Sequence, residues 1–222
     1  MENVLAILMA GGAGERLYPL TRDMAKPAVP FGGIYRIIDF TLSNCINSEL
    51  RRILILTQYK ALELTRHLRA GWNILSPELG EYIEIIPPMK RVHEDWYLGT
   101  ADSVFQNSAS ILGENPQETL ILAGDHIYKM NYREMLSCHR EHDADITLAT
   151  IQVAPSEAQR FGVVEITPDH RVVGFEEKPQ HGHPARSAFN PEMISASMGV
   201  YVFNTPVLLR ALDEDAADAA SS

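Results

Sequence analysis

Short apolar runs alternate with amphipathic stretches over residues 1–142, and this alternation predicts an α/β fold. The runs at 4–10, 53–57, 82–86 and 119–123 have the length and composition of buried strands. Between them, the spacing of apolar residues predicts helices near 37–47, 60–70, 101–112 and 131–142. Strands that alternate with helices favour a largely parallel sheet covered on both faces.

The pattern changes after residue 142. Further strands are predicted at 145–153, 162–167, 171–176 and 197–203, and no long helix separates them. Such spacing favours antiparallel additions to the sheet. A last helix is predicted at 206–212, and the residues 213–222, rich in Asp, Ala and Ser, are predicted to be a solvated linker or truncation point after a single domain over 1–212.

Composition agrees with a globular chain and narrows its partners. Of the 222 residues, 45% are apolar and 22% are charged, which is ordinary for a globular domain of this size. No apolar run approaches the roughly 20 residues needed to span a bilayer. The formal net charge of −10 argues against general binding to nucleic acid or to an anionic membrane.

The charge is unevenly distributed. Residues 1–60 hold seven Lys or Arg against five Asp or Glu, and the remaining residues hold twelve against twenty-four. Positive charge is therefore concentrated near the N-terminus, which suits a small anionic substrate. Cys45 and Cys138 fit neither a disulfide framework nor a zinc pattern and are interpreted as reduced thiols, which together with the lack of a basic secretory leader predicts a cytoplasmic location.

The first strand leads into a loop with candidate chemistry. Gly11, Gly12 and Gly14 stand where the apolar run stops, and the cations Arg16 and Lys26 follow. Glycines let backbone N–H groups approach a ligand closely, and such groups together with Arg and Lys suit a polyphosphate. The loop is neither a Walker motif, since no Lys-Ser or Lys-Thr pair exists, nor a dinucleotide fingerprint, since the third glycine is missing. It predicts a nucleoside triphosphate site, with an ordinary strand-ending turn as the alternative.

The segments 11–17, 20–21 and 26–27 resemble the signature of sugar-1-phosphate nucleotidyltransferases. Longer segments narrow the resemblance to the glucose-1-phosphate adenylyltransferases, also called ADP-glucose pyrophosphorylases, over essentially the whole chain; they lie at 27–40, 42–48, 57–59, 96–102, 122–129 and 197–203. The resemblance implies a Rossmann-like nucleotidyltransferase domain with a mainly parallel, mixed central sheet flanked by helices. It also implies that 1–212 is a C-terminally incomplete catalytic domain, and that the family's C-terminal β-helix domain is absent.

The implied reaction transfers the adenylyl group from ATP to α-D-glucose 1-phosphate and gives ADP-glucose and pyrophosphate for glycogen or starch-like glucan synthesis. A sugar-phosphate oxygen attacks the α-phosphorus in line, so the protein has to position substrates and neutralise charge rather than supply a covalent nucleophile. The resemblance further implies a homo-oligomer, which is a homotetramer in the full-length family.

The resemblance assigns the phosphate and metal roles. Arg16 and Lys26 are the candidates for stabilising the triphosphate and the departing pyrophosphate, and the three loop glycines supply backbone amides. A surface loop charge is the alternative for Arg16. Lys26 precedes Pro27, which favours an extended conformation at Lys26 that aims its side chain back across the site. Asp125, at the end of the apolar run 120–123, is the candidate Mg²⁺ ligand, with a helix N-cap as the alternative. A second family carboxylate lies outside the residues of this chain.

The base and the sugar phosphate have their own candidates. For adenine these are Gln58, Trp96, Tyr97, Gly99, Thr100 and Asp102, because an amide can pair with a purine edge and an aromatic ring can stack on it. Asp102 has the alternative of a helix N-cap or a first-turn helix acid. For glucose 1-phosphate the resemblance assigns Lys178 to the phosphate, Glu177 to sugar hydroxyls, and Ser197 and Tyr201 to positions beside the phosphate. A solvated turn and simple strand alternation are the alternatives there.

Histidines offer no convincing metal site. His139 and His142 have helical spacing and His181 and His183 flank a glycine, but no third ligand completes either pair. All four are predicted to be solvated surface residues.

Two other functions stay open. A related enzyme for another nucleotide or sugar would share the glycine loop. A non-catalytic or regulatory fragment that only binds nucleotide would tend to lose the loop cations or the metal aspartate, so the presence of Arg16, Lys26, Asp125 and Lys178 favours a catalytic ancestry.

Overall fold

Ten strands and six α-helices follow one another in the computed structural model, which describes residues 3–12, 14–58, 60–88, 97, 99–181 and 184–217. The strands are β1 (Val4–Met9), β2 (Pro30–Phe31), β3 (Tyr35–Arg36), β4 (Arg52–Leu56), β5 (Tyr82–Ile86), β6 (Glu118–Ala123), β7 (Ile146–Val153), β8 (Gly162–Ile166), β9 (Val172–Glu177) and β10 (Ile194–Asn204). The helices are α1 (Ile37–Asn47), α2 (Leu62–Gly71), α3 (Thr100–Phe105), α4 (Ser108–Glu114), α5 (Tyr132–Glu141) and α6 (Thr205–Ala217).

The chain divides into two units, Met1–Thr147 with Val202–Ser222, and Leu148–Tyr201. In the first unit, β5, β4, β1 and β6 lie side by side in that order, and all pair in parallel. Met9 pairs with Leu56 on one side and with Ala123 on the other, so β1, β4 and β6 end at the same level. Their carboxyl ends therefore form one edge, where open α/β sheets place their ligands.

Both faces of this parallel sheet are covered. This is seen at β1, an apolar run that is buried almost throughout. Leu5 and Ile7 point to one face, and there they join a core with α3, α4 and α6 that includes Val104, Ile111 and Leu208. Alternate residues of a strand point to opposite faces. Leu8 accordingly lies on the other side, close to α1, whose residues Ile37, Ile38, Leu42 and Cys45 are buried.

The second unit is antiparallel. β8 pairs with β9 along its length and with β10 at Val163 and Val164. Ala158, Val163 and Ile194 form its small core, against which Val153 packs. The mainly parallel, mixed sheet flanked by helices, with antiparallel strands in the later part of the chain, is thus confirmed. The assignment of residues 1–212 to one catalytic domain stays a prediction.

Several elements differ from the sequence prediction. The helix expected over 101–112 is two helices, because the Asn107 side chain donates to the Ser103 carbonyl oxygen (2.7 Å) and the Asn107 N–H turns to Val104 (3.0 Å). The last helix continues to Ala217, so residues 213–217 of the expected linker are exposed but helical; Asp, Glu and Ala there continue the turns that begin at Thr205. The hairpin β2–β3 was missed because its strands have two residues each.

No helix in the described ranges combines the length and the apolar character that a membrane crossing requires.

Candidate active site

Three strand ends bring the predicted nucleotide residues together at one edge of the parallel sheet. Gly11 and Gly12 follow β1, Gln58 follows β4 and Asp125 follows β6. A Cβ added to Gly12 would lie 3.9 Å from Asp125 Oδ2, and one added to Gly11 would lie 3.0 Å from Gln58 Cβ. Gly11 and Gly12 therefore leave room for the side chains of Gln58 and Asp125. These side chains come close to β1 because β1, β4 and β6 end at the same level.

Gly14 sets the shape of the loop. It has a left-handed backbone (φ 66°), and a Cβ there would lie 2.7 Å from Lys26 Cβ and 2.9 Å from Thr21 Cγ2. The Gly14 carbonyl oxygen accepts hydrogen bonds from Leu17 N–H and Thr21 Oγ1, both at 2.9 Å. Only glycine fits this position, because any side chain would be strained at this φ and would also displace Lys26.

Lys26 crosses the loop to reach Asp125. It begins a short 3-10 turn, Lys26–Ala28, so the expected extended backbone at Lys26 is wrong; the extended residue is Ala25, one position earlier. The aim predicted for the side chain is nevertheless found, since Lys26 Nζ donates to Asp125 Oδ2 at 2.9 Å. Lys26 N–H also contacts the Gly12 carbonyl oxygen (3.3 Å). The cation is thus held against both the glycine loop and the end of β6.

The surroundings of Asp125 favour its ionised form. Its side chain is 38% exposed and that of Lys26 is 28% exposed. His126 Nδ1 lies 3.4 Å from Asp125 Oδ1. The hydrogen bond from His126 and the hydrogen bond and charge of Lys26 outweigh partial burial, and they lower the pKa of Asp125 to about 2. Asp125 is not a helix N-cap, because α5 begins at Tyr132 and its cap is Asn131.

The predicted adenine residues form a second contact group. Gln58 Nε2 donates to the Tyr97 carbonyl oxygen at 3.2 Å, and Asn107 Nδ2 lies 3.0 Å from the Tyr97 hydroxyl. Gly99 is the N-cap of α3 and Thr100 its first residue, and both are exposed. Trp96 lies outside the described residues.

Two predicted residues lie apart from these contacts. Arg16 is exposed in the 3-10 turn Glu15–Leu17, and among the described residues no ion pair or side-chain hydrogen bond of Arg16 is formed. Asp102 stands in the first turn of α3 and accepts a hydrogen bond from Gln106 Nε2 at 2.9 Å. The N-cap alternative for Asp102 is wrong, because Gly99 caps α3, and the first-turn alternative agrees with its place in the helix.

The sugar-phosphate candidates all lie in the second unit, in two groups. Lys178 Nζ pairs with Glu177 Oε1 at 2.5 Å at the end of β9, where both side chains are more than half exposed. Lys178 has φ 44°, and its N–H donates to the Phe161 carbonyl oxygen (3.1 Å). Within β10, the Ser197 and Tyr201 hydroxyls lie 3.0 Å apart.

Three residues of the first-unit site were missed from the sequence. Gly124 N–H donates to the Met9 carbonyl oxygen (3.0 Å), and a Cβ on Gly124 would lie 3.2 Å from that oxygen. His126 contacts Asp125, and Thr21 is buried while its hydroxyl caps Gly14. The position directly before the candidate aspartate was a usable signal for Gly124. Thr21 stands in the signature segment 20–21, but no role was assigned to it, because it acts through a contact with Gly14 seven residues back.

The histidine prediction was partly wrong. His139 is only 2% exposed and its Nδ1 contacts Thr147 Oγ1 at 2.9 Å, because it continues the buried face of α5 formed by Tyr132, Met135 and Leu136. His142 and His181 are exposed as expected, and His183 lies outside the described residues. Cys45 and Cys138 are free thiols, as predicted. Within the described part of the chain, no group of three or more His, Cys, Asp or Glu residues is placed to hold a metal ion.

These contacts define what the first-unit site can do. A glycine loop that is exposed at Gly12, a lysine and an ionised carboxylate meet at the ends of parallel strands, with an amide and a tyrosine alongside. Such a set binds phosphate oxygens through N–H groups and an ammonium, and it offers carboxylate oxygen to a divalent cation.

Comparison with known proteins agrees with this chemistry. The profile of the nucleotidyl transferase family matches residues 5–222. The chain is 62% identical to the glucose-1-phosphate adenylyltransferase of Koribacter versatilis, over 98% of the chain and 52% of that protein. It is 51% identical to the protein of the same name from Rhodopirellula baltica, over 97% of the chain and 48% of that protein.

A third relative, glucose-1-phosphate adenylyltransferase 2 of Vibrio vulnificus, is 51% identical over 100% of the chain and 54% of its own length. The chain therefore spans about half the length of the curated relatives it matches. The resemblance to glucose-1-phosphate adenylyltransferases that the sequence motifs indicated is confirmed.

Proposed function

Because this chain belongs to the nucleotidyl transferase family, we propose that it provides the nucleotide site of an enzyme that transfers the adenylyl group of ATP to glucose 1-phosphate. The products are ADP-glucose and pyrophosphate, and the product sugar nucleotide serves glucan synthesis. The choice of ATP and glucose 1-phosphate is supported by the names of the similar proteins from Koribacter versatilis and Rhodopirellula baltica.

One observation carries the proposal: Lys26 Nζ lies 2.9 Å from Asp125 Oδ2 directly beside Gly12. A cation, an anion and an open stretch of backbone thus meet at a ligand-binding sheet edge. A nucleoside triphosphate presents oxygens for the cation and backbone amides. The same triphosphate normally carries a divalent cation that needs a carboxylate.

The residues present fit Mg²⁺. Magnesium is commonly held by one or two carboxylates together with substrate phosphates and waters. Asp125 is partly exposed, and its pKa of about 2 keeps it ionised at neutral pH. Asp125 would hold Mg²⁺, and the chemistry that the ion would supply is neutralisation of phosphate charge.

The chain's own residues bind and orient. In this proposal the amides of Gly11, Gly12 and Gly14 hold the triphosphate, and Lys26 and Arg16 stabilise the negative charge that grows on pyrophosphate as its bond to the α-phosphorus breaks. Arg16 is exposed, which leaves its guanidinium available to a phosphate.

Adenine lies by Gln58, Tyr97, Gly99 and Thr100 in the proposal. Gln58 donates one amide hydrogen to the Tyr97 carbonyl oxygen (3.2 Å), and its remaining donor and acceptor suit the edge of a purine.

Glucose 1-phosphate is assigned to the second unit, with Lys178 on its phosphate and Glu177 on sugar hydroxyls. Ser197 and Tyr201 stand beside the phosphate; their hydroxyls already contact each other and are therefore oriented. Homo-oligomeric assembly and a cytoplasmic location remain predictions from the sequence.

The test is to incubate the protein with Mg²⁺, glucose 1-phosphate and ATP and to follow ADP-glucose and pyrophosphate. UTP, dTTP and GTP are compared in parallel, and the Koribacter versatilis relative controls for assay conditions. We expect product from ATP only. Product from another nucleotide would move the protein to a different sugar specificity, and nucleotide binding without product would reduce the proposal to a binding role.

A further inference from the structure

Asp39 is a buried carboxylate that the proposed reaction does not use. It lies in the first turn of α1 and its residue is only 5% exposed. Four donor contacts surround it: Arg36 N–H at 2.7 Å, His67 Nε2 at 2.7 and 2.9 Å from its two oxygens, and Trp72 Nε1 at 2.7 Å. Burying a carboxylate is costly unless such donors replace water, so this arrangement is an organised one.

These donors come from two different helices. Arg36 is the N-cap residue of α1, and the bond from its N–H to Asp39 is one half of a capping box, which involves α1 alone. His67 lies within α2 and Trp72 is the C-cap of α2. Asp39 therefore fixes α2 to the start of α1, which capping alone does not require.

The turn that carries Lys26 packs against these same two helices. Pro27 and Ala28 of the turn are buried, and both α1 and α2 contact it. Arg36 Nη1 donates to the Ala28 carbonyl oxygen at 3.0 Å, and Ile37 N–H donates to the Val29 carbonyl oxygen at 3.2 Å. A shift of α1 against α2 would therefore move the backbone from which Lys26 reaches out.

We propose that Asp39, through its hydrogen bonds to Arg36, His67 and Trp72, is a positioning residue that sets the place of Lys26 at the nucleotide site. Asp39 touches neither Lys26 nor Asp125; it acts through the rigid attachment of the Lys26–Ala28 turn. The inference rests on the proposed phosphate role of Lys26 for its effect on ligand binding, while its structural part concerns the Lys26–Asp125 ion pair alone.

The first arm of the test is a double-mutant cycle on MgATP affinity, measured by calorimetry on the protein. Asp39→Asn keeps size but replaces an acceptor oxygen with a donor, so the network loses contacts. We expect it to weaken MgATP binding about ten-fold, the scale of one charge-assisted hydrogen bond. In a Lys26→Met background, the same change should add less than about two-fold, because Lys26 is no longer there to misplace.

The matched control is Glu118→Gln. Glu118 is also buried (6% exposed) and paired, with Arg140 Nε at 2.6 Å, but it begins β6 and so lies at the opposite end of the strand from Asp125. We expect this variant to leave MgATP affinity unchanged even if it lowers thermal stability.

The second arm reads the ion pair without nucleotide. Lysines are methylated with ¹³C-formaldehyde, and the chain has only five of them, so the Lys26 signal is assigned by its loss in Lys26→Met. Asp39→Asn should move that signal toward its position in Asp125→Asn, where the ion-pair partner is removed. Glu118→Gln should not move it. If Asp39→Asn fails to fold by circular dichroism, Trp72→Phe, which removes one donor and keeps an aromatic ring, takes its place in both arms.

The outcomes separate the two claims. Wild-type protein without MgATP binding would refute the proposed function, and the ¹³C signal alone would then decide the inference. A Lys26 signal unmoved by Asp39→Asn overturns the inference. An equal loss of affinity with and without Lys26 also overturns it, because a general destabilisation would act in both backgrounds.

Discussion

Two lysine–carboxylate pairs in this molecule are built in opposite ways. Lys26 and Asp125 meet at 2.9 Å although 99 positions separate them in the chain, and their side chains are 28% and 38% exposed. Lys178 and Glu177 meet at 2.5 Å as sequence neighbours, and their side chains are 53% and 58% exposed. By distance alone, the Lys178–Glu177 pair would be judged the stronger of the two.

The surroundings reverse that ranking. The Lys26 backbone is fixed by Gly12, by the tight approach of Gly14 and by two packed helices. The Lys178 pair joins two exposed sequence neighbours at the end of β9, where the Lys178 N–H donates to the Phe161 carbonyl oxygen. Exposed pairs of flexible side chains contribute little to stability because ordering them costs entropy and water screens them. Preorganisation for a phosphate is thus expected at Lys26, while Lys178 is free to rearrange around a ligand.

Gly14→Ala should disturb the Lys26–Asp125 pair most severely. Alanine at φ 66° is strained, and its Cβ would lie 2.7 Å from Lys26 Cβ. We expect a loss of about 3 kcal/mol in the free energy of unfolding, from left-handed strain plus overpacking. Gly32→Ala is the matched control: φ is 61° and nothing lies within 4 Å of the added Cβ, so it should cost only about 1 kcal/mol. Equal losses in urea denaturation would show that Gly14 does not shape the Lys26 position.

Lys26→Met sharpens the comparison on the ligand side. Removal of the ammonium should weaken MgATP binding roughly 10- to 100-fold, as expected for a lost charge-assisted contact in a partly desolvated site. Lys178→Met should leave MgATP affinity unchanged, because Lys178 is assigned to glucose 1-phosphate. Titration calorimetry measures both, and a larger effect from Lys178 would exchange the proposed roles.

Asp125→Asn gives the smallest effect and a defined pH dependence. The pKa of Asp125 is lowered from 3.8 to about 2, so the carboxylate stabilises the fold above about pH 4, and this contribution disappears as pH falls through about 2. The shift would correspond to about 2 kcal/mol in a buried group. Solvent screening of this partly exposed side chain reduces the expectation to about 1 kcal/mol.

Urea denaturation between pH 2 and 7 should therefore show wild type more stable than Asp125→Asn at pH 7, with the difference vanishing near pH 2. Glu177→Gln should show at most about 0.5 kcal/mol at any pH, as for an exposed pair. A difference at Asp125 that grows toward acid would have the wrong sign for this ion pair.

The parallel strands were predictable because their runs are mostly apolar, with single exceptions such as Glu84 in β5. Thus β1, β5 and β6 lie within a residue of their expected limits, and α1 spans 37–47 as predicted. The division between α3 and α4 was not predictable from periodicity, since it depends on where the Asn107 amide finds a carbonyl oxygen. His139 was misassigned for a different reason: its polarity suggested the surface, whereas the period of α5 places it on the buried face.

The site was predictable where motif and strand end coincide. Gly11, Gly12, Gln58 and Asp125 each follow a parallel strand, and the equal level of those strands brings them together. The position of Lys26 was predicted in its aim but not in its backbone, because the turn at 26–28 is imposed by packing on α1 and α2. Asp39 was not found at all, since its donors Arg36, His67 and Trp72 meet only in the folded chain.

The central claim is that the Lys26–Asp125 edge is a formed MgATP site, and calorimetry tests it most directly. MgATP is titrated into the protein and into Asp125→Asn, with MgUTP and MgGTP as controls. The account predicts selective ATP binding that weakens in the variant. A folded protein that binds no nucleotide, or binds MgATP equally well without the Asp125 carboxylate, would contradict it.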